Sequence, residues 1–160
     1  MIDLREVGQG SEGYALLEAQ LKALLAGERD FIANAAQFAA FLFHELAELN
    51  WAGFYLNRGE QLVLGPFQGK VACVRIPFER GVCGAAARTR QTQRVEDVHA
   101  FPGHIACDSA SRSELVVPLL KGARLIGVLD LDSPRQGRFG EQDQAGVERL
   151  AQILLEASDC

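Results

Sequence analysis

Between Asp30 and Leu46 the chain is apolar almost all the way round a helix. Phe31, Ala35, Phe38 and Leu42 form one stripe, and Ile32, Ala36, Ala39, Phe43 and Leu46 lie beside it. A helix that apolar has to be covered on more than one side, by a sheet on one flank and a partner helix or second subunit on another. Its most apolar run, residues 34–43, is interrupted by Gln37 and falls short of the roughly 20 residues that cross a bilayer. Asp30 stands where an N-cap is needed, since its side chain can accept from an otherwise unpaired first-turn N–H.

The segments around this helix limit how it can be covered. Tyr14, Leu17, Leu21, Leu24 and Leu25 recur at helical spacing until Gly27 stops the run, which predicts helices across residues 11–49. Strand-like runs follow over residues 51–133. Residues 51–56 and 61–67 flank the turn composition Asn57-Arg58-Gly59-Glu60, residues 71–78 form a third candidate, and residues 93–95 a short fourth. Residues 84–89 read as a short helix with Cys83 at its opening, and residues 99–112 as an irregular excursion. Residues 114–120 and 124–131 pair around Lys121-Gly122-Ala123, and residues 141–157 carry Val147, Leu150, Leu154 and Ala157 on one helical stripe. This order predicts one α+β domain over residues 1–160: a central antiparallel sheet, helices on one face, and the excursion with its loops on the other.

The 160 residues suit one domain, and 48% hydrophobic against 23% charged residues is enough to bury a core. A net charge of -5 argues against a nucleic-acid partner, which needs a basic face for phosphates. Residues 1–10 hold Asp3, Arg5 and Glu6 and lack the basic-then-apolar pattern of a secretory signal. The expected compartment is the cytoplasm, where cysteines are usually free thiols and a disulfide tends to be catalytic or transient.

That expectation draws attention to Cys73, Cys83, Cys107 and Cys160. A thiol near a helix N-terminus or in a polar loop can have a lowered pKa, and the thiolate is the nucleophile. The alternative for the first three is that of small buried hydrophobes; Cys160, at the terminus, reads as incidental. In Leu129-Asp130-Leu131-Asp132 the two acids lie two apart, so on a strand they share a face while the leucines take the other. Glu114 opens the neighbouring strand candidate. If the two strands pair, three carboxylates converge, and they repel one another unless a cation or a proton joins them. His99, His104, Cys83 and Cys107 fit no common zinc spacing, His44 reads as an ordinary helix residue, and Gly81-Val82-Cys83-Gly84 lacks the lysine and spacing of a phosphate loop.

Seven motifs stand in order: Trp51-Ala-Gly-Phe-Tyr55, Gly65-Pro-Phe-Gln-Gly69, Ala72-Cys73, Gly81-Val-Cys-Gly84, Phe101-Pro-Gly-His-Ile-Ala-Cys-Asp108, Ser113-Glu-Leu-Val-Val-Pro118 and Gly127-Val-Leu-Asp-Leu-Asp-Ser-Pro134. Together they resemble the GAF-domain free methionine-(R)-sulfoxide reductases. The resemblance implies reduction of the R-epimer of free methionine sulfoxide. It implies Cys107 as the catalytic cysteine, Cys73 as the resolving cysteine that forms a disulfide with it, and Cys83 as an auxiliary for recycling or an alternative disulfide. Glu114, Asp130 and Asp132 match the carboxylates that engage the substrate, and Trp51 and Tyr55 the aromatic wall around its S-methyl end. No prosthetic group or metal is expected; a thioredoxin-type dithiol is the expected reductant, and a homodimer through the N-terminal helices the expected assembly. Two rivals accompany this reading: a GAF module sensing a small molecule such as a cyclic nucleotide, and an interaction protein dimerising through its apolar helices.

Overall fold

A computed structural model describes residues 10–104 and 110–160. The first helix, α1 (Ser11–Leu25), buries Tyr14, Leu17, Leu21 and Leu25 on one side. The second, α2 (Phe31–Glu45), begins at Asp30, whose Oδ1 accepts from the Ala33 N–H at 2.8 Å; such a cap contributes about 1 kcal/mol.

Six strands form one sheet: β1 (Trp51–Asn57), β2 (Gln61–Gly69), β3 (Arg75–Pro77), β4 (Gln93–Val95), β5 (Ser113–Lys121) and β6 (Arg124–Ser133). Their order is β3-β2-β1-β6-β5-β4, and every neighbouring pair is antiparallel. A short helix, α3 (Gly81–Thr89), lies between β3 and β4, and α4 (Glu141–Ala157) closes the chain. The fold is α+β.

Alternation along the strands sorts two cores. Ala52, Phe54 and Leu56 of β1, Leu115, Val117 and Leu119 of β5, and Leu129 and Leu131 of β6 pack against α1, α2 and α4. Phe38 of α2 meets Phe54 with ring centroids 5.6 Å apart. On the opposite face Trp51, Tyr55, Val116 and Val128 pack with Val82, Cys83 and Ala86 of α3. Three helices therefore share one face as expected, while α3 joins the site loops on the other.

Four details differ from the sequence reading. The third strand is only Arg75–Pro77, and Cys73 lies in the loop before it. Beyond the Leu64 N–H bond to the Val74 carbonyl, at 2.9 Å, the β2–β3 pairing stops. Pro66 has no N–H with which to continue it, and the β1–β2 register slips by one residue at the same place. Helix α3 starts at Gly81, so Cys83 lies within its first turn and does not precede it. Gly84 allows this helix to sit against the Pro77 and Phe78 carbonyls, which a Cβ would meet at 2.8 and 2.7 Å. Within the irregular excursion, Val98–Ala100 forms a 3-10 turn. Finally, α2 is covered by the sheet and its neighbouring helices, yet its Ile32 remains 52% exposed. No described helix is long and apolar enough to cross a membrane.

Candidate active site

The antiparallel register assembles the site row by row. Trp51 on β1 faces Asp132 on β6, which faces Glu114 on β5. In the next row of the same face, Gly53, Asp130 and Val116 are partners. Period-two alternation thus turns both β6 acids and Glu114 away from the helices, onto the face that carries α3. All three are buried.

Glycine at position 53 makes room for the aromatic wall. The Trp51 indole stacks on Tyr55 on one side, with ring centroids 5.8 Å apart, and on Phe67 on the other, at 5.2 Å. A Cβ on Gly53 would lie 2.8 Å from the indole and 2.3 Å from Phe67 Cβ. The indole N–H donates to the Lys70 carbonyl at 3.1 Å, and the Tyr55 hydroxyl donates to the Cys73 carbonyl at 2.9 Å. The wall therefore also holds the loop carrying Cys73. Burial, and then the negative charge of Asp130, raise the Tyr55 pKa, so this hydroxyl stays a donor.

Helix α3 brings Cys83 over the acids. Its Sγ lies 4.0 Å from Glu114 Oε2. The Sγ and one oxygen each from Glu114 and Asp130 lie within 4.8 Å of one another, spacing at which acids share a proton or a small cation. Burial, and then the charge of Asp130, push the Glu114 pKa well above the carboxylate range. Burial, and then the charge of Asp132, do the same for Asp130. Burial and the neighbouring acids likewise raise the Cys83 thiol, making it a protonated donor and a poor nucleophile. Among the described residues Asp130 Oδ1 is buried with no hydrogen-bond partner, an acceptor available to a bound ligand.

These groups line one pocket with Ala72, Ile76, His104 and Ser111. The sequence reading missed Ser111, although its hydroxyl accepts from Asn50 Nδ2 at 3.1 Å, and it missed Phe67 as the outer leaf of the wall. Phe67 sits in one of the quoted motifs, but only the slipped β1–β2 register puts it under Trp51. His99 and His104, weighed for zinc, face each other at 6.3 Å between centroids, and the ligand-spaced group found among the described residues is Cys83, Glu114 and Asp130. Burial, followed by His99, lowers the His104 pKa, which favours the neutral imidazole.

The cysteines are divided among these surroundings. Cys83 is buried and free; Cys160 is free and packs against the helix-side core, across the sheet from the pocket. Cys73 packs beside the pocket-side core and is disulfide-bonded. Cys107 lies outside the described residues. The described arrangement offers an aromatic wall beside three buried acids, two of which, Glu114 and Asp130, have pKa values raised by burial and by neighbouring charge. Such a pocket accommodates an apolar group at one end and an ammonium at the other.

Comparison with known proteins gives the same outline. The GAF-domain family matches residues 29–157. The free methionine-R-sulfoxide reductase of Escherichia coli is 55% identical over 144 residues, 90% of this chain and 87% of that protein. A free methionine-R-sulfoxide reductase from Neisseria meningitidis, solved in complex with its substrate, superposes with a TM-score of 0.88 at 46% identity, covering 92% of this chain and 89% of that one. A Burkholderia vietnamiensis protein described as a candidate GAF sensor superposes with a TM-score of 0.88 at 57% identity, over 91% and 92% of the two chains.

Proposed function

The chain belongs to the GAF-domain family, with the free methionine-R-sulfoxide reductases among its near relatives, and from that premise we propose that it reduces free methionine (R)-sulfoxide to methionine by cysteine chemistry. The observation that carries the proposal is the row formed by Trp51, Asp132 and Glu114, with Asp130 in the adjoining row. It sets a flat apolar wall beside buried acids, the complement of a free amino acid with an S-methyl end. The ammonium of that substrate is absent from a methionine inside a polypeptide, so the acids select the free form.

The Cys107 thiolate attacks the sulfoxide sulfur. The developing charge on the departing oxygen is quenched by a proton from the acid cluster. The S–O bond and the transient bond between the two sulfurs both break as the oxygen passes to Cys107, which becomes a sulfenic acid, and methionine leaves having gained two electrons. Cys73 then displaces that hydroxyl as water and forms the disulfide. A disulfide at Cys73, with Cys83 and Cys160 both free, supports this pairing over the one through Cys83. An external dithiol of the thioredoxin type restores both thiols by exchange and is itself oxidised. The electrons come from that dithiol, with no bound cofactor, in a reducing compartment such as the cytoplasm, where the enzyme repairs oxidised free methionine. The exposed Ile32 on α2 supports a homodimer through the N-terminal helices, which sedimentation equilibrium tests.

The decisive experiment supplies the R and S epimers of free methionine sulfoxide separately, with dithiothreitol as reductant, and follows the intact mass of the enzyme. Turnover of the R epimer alone, with loss of two hydrogens per chain when reductant runs out, is expected. Equal use of the S epimer or of a blocked peptide sulfoxide contradicts the substrate reading. No turnover of any sulfoxide favours a sensing module, although the three acids oppose a phosphate ligand.

A further inference from the structure

Among the described residues the large apolar side chains left exposed are Leu24, Ile32, Val71 and Val74. Leu24 and Ile32 belong to α1 and α2, on the helix side of the sheet. Val71, 88% exposed, and Val74, 58% exposed, bracket the disulfide-bonded Cys73, which is half-buried between them. This loop is pinned at three carbonyls. That of Lys70 accepts from the Trp51 indole N–H at 3.1 Å, that of Cys73 from the Tyr55 hydroxyl at 2.9 Å, and that of Val74 from the Leu64 N–H at 2.9 Å. The pinned backbone leaves both valine side chains in water, where each forgoes the stabilisation of burial. Lys70 and Arg75, both exposed, flank the run, and no acid stands between Glu60 and Glu79 in a chain whose net charge is -5.

We propose that residues 70–75 are the docking surface for the reductant, a protein dithiol whose reactive thiol sits in an apolar face with an acidic flank, and that its thiolate attacks the Cys73 sulfur. As a step of the catalytic cycle, this docking depends on the reductase reading. Val71 and Val74 give the partner's face apolar contact on either side of the sulfur, and Lys70 and Arg75 meet its acids at the rim. Rim charges act on the rate of encounter more than on affinity, which suits a partner that must leave at every turnover. Transient redox encounters bury less than about 1,200 Å², so a short loop suffices. Attack at Cys73 breaks the disulfide, expels the other sulfur as a thiolate and leaves a mixed disulfide on Cys73. On the reductase reading the expelled sulfur is Cys107, the one that works as a thiolate, and a thiol that ionises readily leaves faster. The partner's second thiolate then attacks its own sulfur in the mixed disulfide. Cys73 departs as a thiolate and takes up a proton, and the partner leaves as a disulfide, having given up two electrons.

Docking can be read without any sulfoxide. The oxidised chain is mixed with a thioredoxin of acidic net charge or with dithiothreitol, and loss of the disulfide is followed by intact mass after alkylation. Val74→Asp removes one apolar contact and sets an acid against the acids of the partner. It is expected to slow reduction by thioredoxin roughly tenfold and to leave reduction by dithiothreitol at the wild-type rate. The double variant Lys70→Glu with Arg75→Glu should also slow thioredoxin alone, and should turn a rate that falls with added salt into one that rises. A thioredoxin lacking its second thiol should be trapped as a mixed disulfide on Cys73, located by peptide mapping. Trapping on Cys107, an unchanged thioredoxin rate in either variant, or equal slowing with both reductants overturns the proposal. Chains that thioredoxin reduces as expected, yet that turn over no sulfoxide with dithiothreitol, overturn the reductase reading and leave the docking surface in place.

Discussion

Trp51 and Asp132 are register partners across β1 and β6, and the wall and the acid cluster therefore share one row of the sheet. The distance between the apolar and the charged ends of the pocket is set by strand spacing, not by a flexible loop. Sites built on such rigid elements hold their geometry better than sites built on loops.

Gly53 separates the two halves of this arrangement. Gly53→Ala drives a methyl group into Phe67 Cβ and the Trp51 indole. Overpacking of this kind costs about 1–3 kcal/mol, and the displaced indole no longer closes the pocket. We expect a lower melting temperature and a higher KM for the sulfoxide, with the R over S preference weakened. An unchanged KM would mean that Trp51 does not touch the substrate.

Charge at Asp130 should matter more for binding than for the proton. On the proposed function Asp130→Asn removes the partner of the substrate ammonium, and a hydrogen bond to a charged group contributes about 1.5–3 kcal/mol. KM should rise by roughly 10- to 100-fold, measured at saturating dithiothreitol. A variant that loses kcat with KM unchanged would make Asp130 the proton donor instead.

Glu114 carries a stability signature. Burial, then Asp130, hold the Glu114 pKa in the folded chain above its unfolded value. The folded state therefore binds the extra proton, and its contribution is full below about pH 4 and is lost as pH climbs through the folded pKa. Glu114→Gln has no proton to lose. Its melting temperature should exceed that of the wild type at pH 8, with the difference shrinking towards pH 4. A difference independent of pH would show that Glu114 is not held protonated.

Cys107→Ser should form no methionine above background, with the R epimer and dithiothreitol at saturation. Normal turnover in that variant moves the nucleophile elsewhere, with Cys73 the first alternative.

Tyr14→Phe separates fold from chemistry. The Tyr14 hydroxyl donates to Asp143 Oδ1 at 2.7 Å, while Arg138 meets Oδ2 of the same carboxylate at 3.3 Å. Loss of the hydroxyl leaves a buried acceptor short of a donor, at a cost of about 1–3 kcal/mol. Because Tyr14 lies on the helix side of the sheet, kcat and KM should stay at wild-type values while denaturant stability falls.

Much of this arrangement is legible in the sequence. Alternation in Leu129-Asp130-Leu131-Asp132 put both acids on one face and both leucines on the other, and β6 does so. Pairing of β5 with β6 brought Glu114 beside them. The period of α1 and α4 and the Asp30 cap were readable for the same reason: each depends on residues within a turn or two. The third strand is shorter than its apolar run because its end depends on Pro66, which lies on the neighbouring strand.

The sequence by itself determined which face each acid takes and where α2 begins, because these follow from local periodicity and side-chain chemistry. Only the tertiary structure decided that α3 crosses to the acid face and lays the Cys83 thiol against Glu114. It alone put Phe67 under Trp51 and left Cys160 on the other side of the sheet. Those contacts join segments far apart in the chain, and what sets them is close packing and the desolvation of groups that no local pattern reveals.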